Sequence, residues 1–162
     1  MYILYLHGLN SKLSLEKRNI LENYGQVFAP NIDYSKKYIQ PATILNTYKT
    51  IEFDVVIGSS MGALNTYIIS ENIGRPALLF NPPLSRYKEV TFSTCFKKRA
   101  APKQLLLGAK DEVVNPIETI AFIANRLKKD SLQLNIDPNL EHRIPIVEFE
   151  TQLHKFFNEF LP

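Results

Sequence analysis

The sequence predicts an α/β fold, a three-layer sandwich in which a mostly parallel sheet of about six strands carries helices on both faces. Three observations predict it. Short apolar runs alternate with helical patterns along the whole chain. The runs are continuous rather than alternating, as strands covered on both faces require. The length, 162 residues with 45% hydrophobic and 22% charged, suits one core. We therefore expect a single domain over residues 1–162 with no large cap domain.

Each element has its own signal. Tyr2 to Leu6 is an apolar run and reads as the first strand. Ser14 to Tyr24 suits a helix with Leu15, Ile20 and Leu21 facing inward, ended by Gly25. Gln26 to Ala29 is a short strand closed by Pro30, and Pro41 suits the first turn of a helix to Tyr48. Phe53 to Ile57 is the third strand. Met61 to Ile73 is a helix stopped by Gly74. Pro76 to Phe80 and Lys103 to Leu107 are the fourth and fifth strands. Pro116 to Lys128 is a helix presenting Ile120, Ile123, Ala124 and Leu127 on one face. Leu132 to Ile136 alternates and reads as a sixth, edge-side strand. Ile146 to Phe160 is a last helix, burying Phe149, Leu153, Phe156 or Phe157, and Phe160. Leu84 to Ala101 has no clear pattern and suits a helix, a small lid or a loop.

Composition excludes several classes. A formal charge of +3 and a basic cluster of only Lys97-Lys98-Arg99 give no footprint for nucleic acid. No apolar run reaches the ~20 residues of a membrane helix. The apolar start, Met1 to Leu6, lacks a basic n-region and breaks at His7-Gly8, so it is expected to be the first strand rather than a signal peptide. The lone Cys95 forbids an intrachain disulfide and is expected to be a buried small hydrophobe. A cytoplasmic protein with neither nucleic-acid nor membrane partners is expected. No Cys pair, His-Glu-x-x-His, Gly-x-Gly-x-x-Gly or phosphate-binding loop occurs, so neither metal nor cofactor is expected.

One stretch organises the chemistry. The run Asp54-Val55-Val56-Ile57 ends in Gly58-Ser59-Ser60-Met61-Gly62, and a helical pattern starts at once. Strand, sharp turn and helix around G-x-S-x-G form a nucleophile elbow with Ser60 at its tip. Positions two residues either side of the serine must be small, hence Gly58 and Gly62. Ser59 should point away from substrate. In a parallel sheet the site lies beyond the carboxyl ends of the strands. His7-Gly8-Leu9, Asp111 and His142 fall at such ends, after strands one, five and six.

Acyl transfer assigns roles to these groups. Serine needs a base, which His142 would supply. The imidazole needs an anion that holds its tautomer, which Asp111 would supply; Glu112, Asp137 and Glu141 are the competing carboxylates. The backbone N–H groups of Leu9 and Met61 would stabilise the oxyanion. Among the other histidines, His154 falls on the exposed side of the last helix, and His7 precedes the nucleophile and suits a turn of the oxyanion loop. Substrate would meet His7, Gly8 and Asn10, with Leu9, Pro82, Pro83, Leu84, Val113 and Ile144 as apolar walls of a shallow pocket that favours short acyl groups.

Tyr5-Leu6-His7-Gly8-Leu9-Asn10-Ser11, Gly58-Ser59-Ser60-Met61-Gly62, Asn81-Pro82-Pro83, Gly108-Ala109-Lys110-Asp111-Glu112-Val113-Val114 and Glu141-His142 follow one another along nearly the whole chain. In that order they resemble the small bacterial esterases of the YqiA type, within the α/β-hydrolase superfamily. The resemblance implies a compact α/β-hydrolase-like fold. It also implies Ser60 as nucleophile, Asp111 as acid and His142 as base, acting on short-chain carboxylic esters. Leu140-Glu141 departs from the family, where a glycine or aspartate often precedes the histidine. Two other classes share these residues: a non-catalytic binder of a small ligand or partner on the same fold, and a hydrolase of amide or C–C bonds.

Overall fold

The computed structural model describes residues 1–90, 101–126 and 131–161. Six strands form one sheet: β1 (Tyr2–Leu6), β2 (Gln26–Phe28), β3 (Val55–Ser59), β4 (Ala77–Phe80), β5 (Lys103–Gly108) and β6 (Leu132–Asp137). Their spatial order is β2-β1-β3-β4-β5-β6, and every adjacent pair is parallel. Parallel neighbours need crossovers, and four helices lie on them: α1 (Leu15–Glu22) between β1 and β2, α2 (Pro41–Asn46) between β2 and β3, α3 (Met61–Ile73) between β3 and β4, and α4 (Pro116–Ala124) between β5 and β6; α5 (Ile146–Lys155) follows the last strand.

The period of two along each strand splits the core into two layers. Leu4, Leu6, Val56, Leu79 and Leu105 pack with Ile44 of α2, the apolar residues of α3 and Ile123 of α4. Ile3, Tyr5, Val55, Ile57, Leu78, Phe80 and Leu106 face the other way, onto Leu21 of α1 and Phe149 and Leu153 of α5. The central strands are buried along nearly their whole length, which is why they read as continuous apolar runs. β2 and β6 sit at the edges and are only partly buried. Phe149 is fully buried, 5.1 Å from the Phe80 ring and 6.3 Å from that of Tyr5. Phe149→Ala is expected to cost about 3–5 kcal/mol, read by urea unfolding. A loss below about 1 kcal/mol would show that the α5 face is not core.

Three helices differ in detail from the sequence reading. Leu15 follows the Ser14 N-cap and is 73% exposed; Leu13, just outside the helix, packs on the core in its place. In α4 the inward stripe is turned by one residue. Thr119 is fully buried and Phe122 packs inward beside Ile123, while Ala124 is exposed. Thr119 enters the core because its hydroxyl donates to the Pro82 carbonyl at 2.7 Å. Leu127 and Lys128 lie outside the described residues. After Lys155, residues Phe156–Phe160 form a wider turn closed by Leu161 N–H on the Phe156 carbonyl. Phe156 is the fully buried one; Phe157 and Phe160 are partly so.

Of the unassigned connection, Leu84–Arg86 is one short 3₁₀ turn. The Tyr87 hydroxyl donates to Glu71 on α3 at 2.8 Å, and Asn72 on α3 donates to the Val90 carbonyl at 2.9 Å. Residues 91–100, with Cys95 and Lys97-Lys98-Arg99, lie outside the described residues. No described helix is long and apolar enough to cross a membrane.

Candidate active site

The carboxyl ends of β1, β3, β4, β5 and β6 converge on one edge of the sheet. At the end of β3, Ser60 adopts φ 53° and ψ −124°. A serine with positive φ stores roughly 1–3 kcal/mol of strain, which the surrounding fold must hold in place. The anchors are visible: Ser60 N–H donates to the Phe80 carbonyl at 2.8 Å, and Leu64 N–H closes the first turn of α3 on the Ser60 carbonyl. The flanking glycines are required by contact. A Cβ at Gly58 would meet Thr66 Oγ1 and, at 2.7 Å, the Gly62 carbonyl; one at Gly62 would meet the carbonyls of Leu6 and His7. Ser59 points into the opposite layer, its Oγ 3.1 Å from the Tyr5 hydroxyl.

Ser60 meets a histidine from a distant loop. His142 Nε2 lies 3.1 Å from Ser60 Oγ, and His142 Nδ1 lies 2.7 Å from Asp111 Oδ2. Asp111 sits in the turn after β5, with a side chain 1% exposed. Its Oδ1 accepts the N–H groups of Val113 and Val114, both at 2.8 Å, so only Oδ2 is left to face the imidazole. A carboxylate only accepts, so His142 carries its proton on Nδ1 and leaves Nε2 free to accept from the serine hydroxyl. Glu112 and Glu141 are exposed, and Asp137 Oδ1 accepts from Asn139 N–H. None of these three shares a hydrogen bond with His142 among the described residues. His154 lies on the exposed side of α5.

The loop after β1 covers the elbow. A Cβ at Gly8 would lie 3.1 Å from Ser60 Cβ, so the glycine sets how close this loop comes to the nucleophile. Leu9 is 41% exposed and Asn10 is exposed with φ 49°. Met61 opens α3, and its amide precedes the first helical hydrogen bond.

His7 differs from the expectation that it meets substrate. It is 4% exposed and both ring nitrogens are engaged inside the protein. Nε2 accepts the Ile32 N–H at 2.9 Å, so Nδ1 carries the proton and donates to the Gly8 carbonyl at 2.7 Å. The Tyr34 hydroxyl donates to the His7 carbonyl at 2.8 Å. Burial pushes that tyrosine's pKa well up, so the hydroxyl remains a donor. His7 thus braces the Gly8 loop against residues 32–34.

The expected apolar walls also change. Leu84 is fully buried beneath the surface, in the same layer as α3, and Ile144 packs with Phe149 and Leu153 on the other layer. Neither is open to a ligand. Pro82 and Pro83 are buried, with the Pro82 carbonyl held by Thr119. Leu9 and Val113, the latter 70% exposed, are the open apolar side chains of the set. Beside Asp111 and His142 runs a groove of about 530 Å³ lined by Ala109, Lys110, Glu112, Val113 and Glu141. Its charged rim has no counterpart in the sequence pattern, because loop side chains carry no periodic signal.

Asn81 is a site residue that sequence reasoning treated only as part of a motif. It is 2% exposed with φ 46° and hydrogen-bonds the backbones of both the β5 end and the His142 loop. An asparagine before two prolines, at the end of a buried strand, is the signal that could mark it. Among the described residues, no group of three or more His, Cys, Asp and Glu side chains is placed to hold a metal ion.

A six-stranded parallel sheet, helices on both faces and a strained serine between β3 and α3 together make this the α/β-hydrolase fold. No protein-family model matches the chain, and no curated protein sequence matches it. Solved structures do. The esterase PE8 aligns with a TM-score of 0.72 at 16% identity, over 99% of this chain and 92% of its own. Est1E from Butyrivibrio proteoclasticus gives 0.66 at 14% identity, over 98% and 87%. FphF, a fluorophosphonate-binding serine hydrolase of Staphylococcus aureus, gives 0.66 at 15%, over 95% and 80%. These are likenesses of fold.

Proposed function

We propose that the protein is a serine hydrolase of the small bacterial esterase type, cleaving short-chain carboxylic esters or thioesters through an acyl-enzyme. The observation that carries this reading is the continuous chain from Asp111 through His142 to Ser60, with both links at hydrogen-bonding distance. Ser60 Oγ attacks the carbonyl carbon while His142 Nε2 takes its proton. Asp111 holds the imidazole in that tautomer and balances the imidazolium. The amides of Leu9 and Met61 receive the oxyanion. As the tetrahedral intermediate collapses, the C–O (or C–S) bond breaks and His142 protonates the leaving alcohol or thiol. Water then repeats the sequence on the acyl-enzyme, with His142 again as base, and releases the carboxylate.

The matched structures include esterases and a fluorophosphonate-binding serine hydrolase, which supports this class of chemistry. Small soluble esters are the substrates, and a single cysteine in 162 residues suits the reducing cytoplasm. Short acyl groups are favoured because, of the apolar side chains expected to wall the pocket, Leu84 and Ile144 are closed into the core and Leu9 and Val113 are open. A p-nitrophenyl ester series from acetate to decanoate should show the highest kcat/KM at the short end. A maximum at decanoate would overturn the short-chain reading. A fluorophosphonate probe should label the protein at Ser60; no labelling would favour a binding protein on this fold.

A further inference from the structure

The nucleophile and the base hang from one dipeptide. The Phe80 carbonyl accepts the Ser60 N–H at 2.8 Å. The next residue, Asn81, ends β4 with its own N–H on the Leu106 carbonyl at 2.9 Å. Its side chain then turns to the other strand ends. Oδ1 accepts the Gly108 N–H at 2.8 Å, and Nδ2 donates to the carbonyls of Glu141 at 3.1 Å and His142 at 3.0 Å. Three of the amide's four hydrogen-bonding positions are therefore spent on backbone, all of it within the site.

The fit is specific to asparagine. At φ 46° the backbone is in the left-handed region, which asparagine tolerates better than most residues. Oδ1 must face a donor and Nδ2 must face two acceptors, so an aspartate of the same shape would set an oxygen against two carbonyls. The loop is also packed close: a Cβ at Gly108 would meet the carbonyls of Leu140 and Glu141, and the Leu140 carbonyl is held by Lys110 N–H at 3.0 Å. With Asn81 in place, the main chain at Glu141 and His142 is held by two hydrogen bonds from one side chain. Without it, the two donor bonds that tie residues 141–142 to β4 are gone.

We propose that Asn81 is a positioning residue that sets the Ser60–His142 distance, acting on the base through its backbone and on the nucleophile through the adjoining Phe80 carbonyl. This rests on the reading of Ser60 and His142 as nucleophile and base. Asn81→Gly keeps the left-handed backbone and deletes the amide; Asn81→Asp keeps the shape and replaces the Nδ2 donor with an acceptor oxygen. Both are made in the full chain and checked by circular dichroism and thermal melting. With p-nitrophenyl acetate, each should lose about 100-fold in kcat, the scale of a 1 Å misplacement, with KM little changed. In a His142→Ala background, Asn81→Gly should lower kcat no further, since residues that act as a unit are not additive.

An equal loss in both backgrounds would mean that Asn81 serves the fold alone, and would overturn the proposal. So would wild-type kcat in both Asn81 variants while Ser60→Ala and His142→Ala are reduced to residual rates, a result that leaves the hydrolase reading standing. Full activity of Ser60→Ala would instead remove Ser60 as the nucleophile, and the Asn81 role with it. If Asn81→Gly does not fold, Asn81→Asp carries the same comparison.

Discussion

Ser60→Ala is expected to lower kcat for p-nitrophenyl acetate by about a million-fold, the loss found when a triad nucleophile is removed. The reason is local. Ser60 Oγ is the group aligned with His142 Nε2, and alanine leaves the imidazole with nothing to deprotonate. The neighbouring Ser59 cannot take over, because its side chain lies on the opposite side of the strand, bonded to Tyr5. Stability should hold or rise, since alanine forms no fewer backbone bonds at this position and the elbow is fixed by its main chain. The measurement is a progress curve at high enzyme concentration, with active-site titration to exclude wild-type carry-over. A drop smaller than about a hundredfold would mean that another group attacks the substrate.

Asp111→Asn is expected to cost about 10⁴-fold in kcat, with the fold intact. Two amides, Val113 N–H and Val114 N–H, point at Oδ1 and demand an oxygen there. An asparagine must therefore keep its carbonyl in that place and turn its NH₂ toward His142. Nδ1 then meets a donor and has to become an acceptor, which moves the ring proton to Nε2, opposite Ser60. The base is present, correctly oriented and in the wrong tautomer. The kcat loss reads this directly. Loss of the downfield imidazole N–H resonance from Nδ1 in the proton spectrum reads it independently. A variant within tenfold of wild type would show that the carboxylate does not control the tautomer.

These two effects depend on residues that the sequence alone brought forward, and the elbow is the clearest case. The break from an apolar run into Gly58-Ser59-Ser60-Met61-Gly62 is local, and its backbone demands are met by residues next to it in the chain. The strands are legible for a similar reason: burial on both faces leaves a continuous apolar run. The inward faces of α1 and α4 were less so. In α4, Ile120 looks like the better core residue than Thr119. A hydrogen bond to Pro82, remote in sequence, reverses that preference.

His7 and Asn81 show the same limit from the polar side. His7 beside Gly8 suggests a group that meets substrate. Its burial, and its use of both nitrogens on Gly8 and Ile32, come from a loop 25 residues away. Leu84 and Ile144 suggest pocket walls because they are apolar and near site motifs; each instead faces a core layer.

By itself, then, the sequence determined the parallel α/β layering, the elbow at Ser60, and the succession of Ser60, Asp111 and His142 at strand ends, because each depends on periodicity or on a short stretch of backbone. Tertiary structure alone decided which nitrogen of His142 meets Ser60, which apolar side chains stay open, and that Asn81 joins the ends of β4 and β5 to the histidine loop. Those outcomes rest on hydrogen bonds between residues 27 to 82 positions apart, whose partners are chosen by how the chain folds back and not by their neighbours in it.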